Sequence, residues 1–248
     1  MEARILGLGP EHVAAFVAEP FQGAAGVIFP PSTYWPEIQR ICRQYDVLLV
    51  ADEVIGGFGR TGEWFAHQHF GFQPDIMTLA KGLTSGYMPM GAVAIQDRIA
   101  DALADGGDFA HGLTYSGHPV AAAVAVANLQ VLRDQGIVTG VKEDTGPYFQ
   151  EQLRAVLADH PIVGDIVGVG MVASVVLAED PVTRKRFAHP GEVGNVCRDA
   201  SLNFGLMMRA TAERMILSPP LIIGRGDIDQ MVAIVKKAVD HTAKAYGH

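Results

Sequence analysis

The sequence predicts an α/β fold whose first half is a largely parallel sheet and whose second half is α+β. Three observations carry this. Short apolar runs recur in the first hundred residues and are continuous rather than alternating, which is the pattern of strands buried on both faces. A helix-spaced segment separates the first two of them. Three of the runs end on an ionisable residue, Glu19, Asp52 and Lys81, and in open α/β sheets ligands bind outside the carboxyl ends of the strands.

Val13 to Ala18 is the first predicted strand, ending at Glu19-Pro20. The loop Gln22 to Gly26 follows, then a helix over Tyr34–Tyr45 with Ile38, Ile41 and Cys42 at helical spacing. Val47 to Ala51 and Ile76 to Ala80 are the second and third strands, stopping at Asp52-Glu53 and Lys81-Gly82, and Gly91 to Ile95 is a fourth. His118-Pro119 opens an alanine-rich helix reaching about Arg133, and Thr145 to Ala158 is a second amphipathic one. Ile162 to Leu177, with Gly164, Gly168 and Gly170 among β-branched residues, reads as strand and bend. It lacks the third glycine and following helix of a dinucleotide loop. A helix over Gly191–Phe204, a strand over Leu206–Arg209, a passage through Pro219-Pro220 and a closing helix over Asp227–Tyr246, with Asp227 helping to cap it, complete the chain. The second half is expected to hold less sheet than the first.

Composition narrows the class. The 248 residues are 49% hydrophobic and 19% charged, the balance of a compact globular chain. Net charge is -8 and no basic run occurs, which argues against nucleic acid as partner. The longest apolar stretches are too short or too glycine-rich for a membrane span. Cys42 and Cys197 are the only cysteines; buried reduced thiols in a cytoplasmic protein are the expectation. No metal-ligand spacing exists, and Met1 to Ala15 carries no signal-peptide pattern.

The chemistry rests on the strand ends. Burying a lysine disfavours its charged form, and a neutral amine is a nucleophile toward carbonyl compounds, including the aldehyde of pyridoxal 5′-phosphate (PLP). A carboxylate that keeps a bound pyridine ring protonated makes that ring an electron acceptor. Lys81 and Asp52 suit these two roles. A structural ion pair between them is the alternative.

Here the chain resembles a known family. Leu49-Val50-Ala51-Asp52-Glu53-Val54 with Gly57-Phe58-Gly59-Arg60-Thr61-Gly62 is similar to the signature of class III PLP-dependent aminotransferases, and so is Pro74-Asp75-Ile76 leading to Ala80-Lys81-Gly82-Leu83. Glu19 to Gly23, Thr114 to Pro119 and Ser218 to Leu221 match as well, in the family's order. The likeness runs over essentially the whole chain and is nearest to omega-transaminases that use pyruvate. It implies fold type I of PLP-dependent transferases (aspartate aminotransferase-like). Residues 1–130 would be the C-terminal part of the PLP-binding large domain, and 131–248 the small domain. Lys81 would hold PLP covalently and move the substrate proton, Asp52 would pair with the pyridinium nitrogen, and Val54 would pack on the ring. Thr114 would donate to the phosphate across a homodimer interface. Arg209 would bind a substrate carboxylate, and Glu19 would support the cofactor region from its strand end. His111 and His118 read as interface or packing residues.

Two departures refine the resemblance. Relatives acting on ornithine or GABA carry a glutamate where this chain has Ala24, and a glutamine where it has Ile55. Both point toward the omega-transaminase subgroup. The resemblance further implies an N-terminal portion, supplying most of the phosphate cradle and the first strands, that is expected to have no counterpart among these residues. Its absence is expected to leave a sheet edge and an apolar face open. Three readings follow: part of a working transaminase of primary amines or omega-amino acids, a catalytically silent fragment that serves at most as an interaction module, or a related aminomutase or decarboxylase.

Overall fold

The structure is a computed structural model and describes residues 1–247. The chain forms two compact units. One comprises Met1–Pro20, Pro30–Phe58 and Glu63–Gly136; the other comprises Phe21–Phe29, Gly59–Gly62 and the chain from Ile137 onward.

The first unit holds strands β1 (Ala15–Ala18), β2 (Leu48–Asp52), β3 (Ile76–Leu79) and β4 (Ala92–Ile95), in that spatial order. β1, β2 and β3 run parallel, as the continuous apolar runs predict, while β4 is antiparallel to β3. Register fixes the faces. Phe16, Ala18, Leu49, Ala51 and Met77 meet Ile5 of helix α1 (Glu2–Leu8) and Trp35, Ile38 and Ile41 of helix α2 (Tyr34–Gln44) in one apolar cluster. Trp35 anchors it. Its ring stacks on Phe72 with centroids 4.0 Å apart, and its indole Nε1 donates to the Pro20 carbonyl at 2.8 Å. Truncating such a residue to alanine costs about 3–5 kcal/mol.

On the opposite face two expectations compete. The continuous apolar runs predict cover on both faces, whereas the resemblance predicts an open apolar face. Val17 at 62% and Val93 at 65% are exposed there, on edge strands β1 and β4, so the cover on both faces is not found. Helix α3 (Ala66–Phe70), helix α4 (Asp97–Asp105) and the long helix α5 (Pro119–Asp134) complete the unit.

The second unit begins with the short helix α6 (Ile137–Gly140), a π-turn over Val141–Thr145 and helix α7 (Gly146–Leu157). The π-turn lies where the predicted helix starts, and it requires glycine at its end: a Cβ on Gly146 would collide with the Val141 carbonyl. Strands β5 (Val163–Val169) and β6 (Val172–Leu177) form the hairpin read as strand and bend. Helix α8 (Glu192–Asn203), strands β7 (Arg209–Thr211) and β8 (Arg214–Leu217) and helix α9 (Arg225–Ala245) follow. The sheet is antiparallel, ordered β5-β6-β8-β7.

Three expectations fail here. The second half does not hold less sheet, because among the described residues each unit has four strands. The strand predicted over Leu206–Arg209 begins where that prediction ends: Leu206 and Met208 turn into the core beneath α8 and α9, and pairing starts at Arg209. The closing helix starts at Arg225 with Gly224 at its N-cap, so Asp227 favours the positive helix start from within the first turn without capping it. Phe149, Leu153, Met171, Met215, Ile228 and Val235 lie at the centre of this unit's core. Cys42 and Cys197 are both buried and free, and burial pushes the Cys197 thiol up to about 11.

Candidate functional site

Parallel pairing places three of the predicted residues at one end of the first sheet. Ala18 pairs with Ala51 and Asp52 with Thr78, so Glu19, Asp52 and Lys81 follow one another at the carboxyl ends of β1, β2 and β3. The register puts Asp52 on the same face as Val17, Val50 and Val93, the more open one.

Asp52 is oriented by its own chain. Its Oδ1 accepts the Val54 backbone N–H at 3.0 Å, an Asx-type turn that fixes the carboxylate. The bond occupies one oxygen and leaves the other to meet a donor. Glu53, next in sequence, is fully buried. Its Oε2 accepts the Ala66 N–H at 2.9 Å, its Oε1 accepts the His67 N–H at 2.7 Å, and His67 Nδ1 lies 3.1 Å from Oε1. Glu53 thus satisfies the first amides of α3 from thirteen residues away and closes the loop that carries Val54, Gly57 and Phe58. Its carbonyl also accepts the Gly57 N–H at 2.9 Å.

Lys81 opens a 3-10 turn, Lys81–Leu83, with φ at +43°. Ser85 at +49° and Phe58 at +60° share this left-handed conformation, which costs a non-glycine residue about 1–2 kcal/mol. Gly82 has no room for a side chain, since a Cβ there would stand 2.9 Å from the Phe58 Cβ. Asn128 on α5 meets the same turn. Its Nδ2 donates to the Gly82 carbonyl at 2.8 Å and to the Leu83 carbonyl at 3.1 Å, and its Oδ1 accepts the Ser85 hydroxyl at 2.7 Å. The desolvation argument for Lys81 does not hold within this unit, because the side chain is exposed.

The remaining predicted residues lie apart from this strand end in the chain. Thr114 is exposed in a stretch of twenty-one consecutive exposed residues, 100–120. His118 caps α5: its Nδ1 accepts the Ala121 N–H at 3.4 Å. Arg209, in the second unit, is exposed at the start of β7. Two residues on, the Thr211 hydroxyl donates to the Ala24 carbonyl at 3.3 Å. The segment bearing Ala24 is therefore fastened to the strand that presents Arg209.

Arg60 is a further charged residue of the second unit. Its guanidinium donates to the Met171 carbonyl at 2.8 Å and the Pro219 carbonyl at 2.6 Å. Burial pushes its pKa down to about 10. Sequence reading assigned no role to Glu53, Asn128 or Arg60, although Asn128 is the first polar residue of an otherwise apolar stretch beginning at Pro119.

A class III aminotransferase model matches residues 3–239. The chain belongs to the class III aminotransferase family. Among its relatives, a putrescine–pyruvate aminotransferase of Pseudomonas aeruginosa is 54% identical over 245 residues, covering 99% of this chain and 53% of that protein. A diaminobutyrate–2-oxoglutarate transaminase of Halomonas elongata is 43% identical, with 99% and 53% covered. The solved omega-transaminase of Pseudomonas jessenii in complex with PMP superposes with a TM-score of 0.94 at 42% identity, covering 99% of this chain and 55% of that one. The fold is that of these transaminases, type I of the PLP-dependent transferases. The chain spans about half the length of the curated relatives it matches.

Proposed function

We infer that the whole protein to which these residues belong transfers an amino group from a primary amine or omega-amino acid to a keto acid, with PLP as cofactor. The observation that carries this reading is the placement of Asp52 and Lys81 at the carboxyl ends of adjacent parallel strands in a class III chain. The donor set fits the cofactor: one Asp52 oxygen is held by Val54 and the other is left for a ring N–H, and Lys81 offers an exposed amine two residues beyond β3.

PLP, when bound, supplies an electron sink for the charge left when a substrate Cα proton departs. The chain's residues would do the rest. Asp52 holds the proton on the pyridine nitrogen. Lys81 tethers the cofactor, then takes and returns the proton at the substrate Cα. Val54 packs against the ring, Thr114 donates its hydroxyl to the phosphate of the neighbouring subunit's cofactor, and Glu19 supports the strand end. Arg209 clamps a carboxylate of the keto acid through paired N–H donors. Amine and keto acid would then react in turn, by ping-pong kinetics.

Pyruvate is the acceptor favoured by the putrescine–pyruvate relative and by Ala24. A homodimer is favoured by the exposed apolar residues Phe109, Leu113, Tyr115 and Val120 in and beside the stretch that carries Thr114. The two buried, free thiols fit a cytoplasmic location. The proposed division remains 1–130 for the cofactor-binding part and 131–248 for the small domain.

The test is the absorbance spectrum of the 248-residue chain with PLP beside a Lys81→Ala control. A visible band that depends on Lys81 supports a cofactor site built by this part alone, and formation of alanine from pyruvate with a diamine is then assayed. A second reading is favoured by the exposed Val17, Val93 and Lys81: this part alone is catalytically silent, and absence of a Lys81-dependent band would support it.

A further inference from the structure

We propose that Asn128 is a positioning residue for Lys81: its carboxamide and the Ser85 hydroxyl form a clasp that holds the turn carrying the lysine. The proposal rests on the reading of Lys81 as the cofactor-tethering residue.

Local preference opposes the shape of this turn, since two of its residues are strained. Lys81 and Ser85 both stand in the left-handed region, at φ +43° and +49°, where side chains other than glycine rarely rest. Such conformations persist only where surrounding structure over-determines them. The turn's own amide bonds are few and long. Leu83 N–H reaches the Ala80 carbonyl at 3.0 Å, but Thr84 N–H and Ser85 N–H reach Lys81 and Gly82 carbonyls only at 3.3 and 3.4 Å.

Asn128 supplies what the turn lacks. One side chain binds three groups of it: the carbonyls of Gly82 and Leu83 at 2.8 and 3.1 Å, and the Ser85 hydroxyl at 2.7 Å. A carboxamide can donate two N–H bonds and accept a third bond at once. It projects from the middle of the 16-residue helix α5, among alanine and valine. The clasp therefore ties the turn to a rigid element. Its grip begins one residue after Lys81 and ends at the second strained residue, so it spans the part of the chain that sets the lysine's backbone direction. Thr84 braces the same turn from its buried side, donating its hydroxyl to the Met88 carbonyl at 2.6 Å.

The consequence is kinetic and spectroscopic rather than merely structural. A lysine whose backbone samples other conformations still has its amine, but presents it at the right place for a smaller fraction of the time. Asn128→Leu keeps volume and helix preference and removes all three bonds. Asn128→Asp keeps the acceptor and removes both donors.

Both variants are to be compared with the full 248-residue chain in two measurements. The first is amide hydrogen exchange without cofactor. Residues 82–87 are expected to exchange at least tenfold faster in both variants, with β2 and α2 unchanged. The second is the rate at which added PLP gives a Lys81-dependent visible band, expected to fall about tenfold or more in both. Unchanged exchange over 82–87 overturns the clasp. Faster exchange with an unchanged rate of band formation overturns its service to Lys81. Loss of protection throughout β2 and α2 also overturns the proposal, since Asn128 would then support the unit as a whole. If the parent chain gives no band, the cofactor reading fails for this part, and the exchange measurement still decides the clasp.

Discussion

Glu53 and His67 form a buried pair fourteen residues apart, with Oε1 accepting the His67 backbone N–H at 2.7 Å and lying 3.1 Å from its Nδ1. The pair explains how a five-residue helix, far below the length at which helices are stable alone, holds its place. Its first amides end on a carboxylate that has no contact with water. Glu53→Gln replaces one acceptor oxygen by a donor facing an N–H, and leaving a buried donor without its acceptor costs about 1–3 kcal/mol. Urea unfolding should show that loss. A variant with the parent's midpoint would mean that α3 is held by packing, through the stacked Phe65 and His67 rings, and not by Glu53.

The Arg60 guanidinium predicts a pH dependence of stability. Its two carbonyl partners carry only partial negative charge, and burial pushes it down to about 10. A base whose folded value lies below its unfolded value binds fewer protons when folded. The cost of its charge is therefore full below about pH 10 and is relieved as pH rises from there toward the ordinary guanidinium value. Arg60→Met sheds both the charge and its hydrogen bonds. The stability difference between parent and variant, read by urea unfolding at pH 7 and pH 10.5, should move in the parent's favour at the higher pH. A difference independent of pH rejects burial as the controlling factor.

Two glycines should respond oppositely to the same substitution. A Cβ on Gly194 would run into the Ala212 carbonyl at the turn between β7 and β8, and both contact atoms are backbone. Gly194→Ala should cost about 1–3 kcal/mol as overpacking. Gly140 has helical angles, φ −60° and ψ −41°, and open space around it. Gly140→Ala should stabilise by about 0.5–1 kcal/mol through the entropy of the unfolded chain. Thermal midpoints decide both, and a destabilising Gly140→Ala would refute the backbone argument.

How much of this was readable beforehand differs from residue to residue. Asp52 and Lys81 were legible because each ends a continuous apolar run, and a parallel sheet turns that pattern into a shared edge. The direction of β4 was not, since apolar content carries no sense of direction and antiparallel pairing with β3 is a tertiary outcome. Helix α3 was invisible because its cap is Glu53, remote in sequence, and not a neighbouring serine or aspartate. The sheet of the second unit was underestimated because β7 is three residues long and begins on an exposed arginine. Asn128 carried a signal, one amide after nine residues of proline, valine and alanine, but its meaning required the turn it grips.

The exposed sheet face should govern self-association. Val17 and Val93 lie on the two edge strands, at 62% and 65% exposure, and bury little apolar area here. Edge strands with exposed apolar side chains recruit further strands. Val17→Lys with Val93→Lys should raise the concentration at which the chain associates, measured by light scattering, and shift the thermal midpoint by no more than the effect of a surface substitution, about 0.5 kcal/mol. Association unchanged by both lysines would place the sticky surface elsewhere, with the exposed Phe109 to Tyr115 stretch as the next region to alter.

Arg209 and Ala24 predict a matched pair of specificity effects in the whole enzyme. The Thr211 bond to the Ala24 carbonyl fastens that segment to the strand bearing Arg209. A glutamate at 24 would bring a carboxylate into the same neighbourhood and compete for the guanidinium. Arg209→Ala removes the guanidinium and Ala24→Glu engages it, so both should raise KM for pyruvate, by about tenfold or more for the loss of a charged hydrogen bond. On the proposed role, the half-reaction with an amine that has no carboxylate should keep its rate in both variants, because such an amine offers a guanidinium nothing to clamp. If Arg209→Ala raises the pyruvate KM and Ala24→Glu does not, the arginine binds the acceptor but Ala24 is not what leaves it available. If neither variant moves the pyruvate KM, the carboxylate is held by another residue, and the proposed role of Arg209 falls.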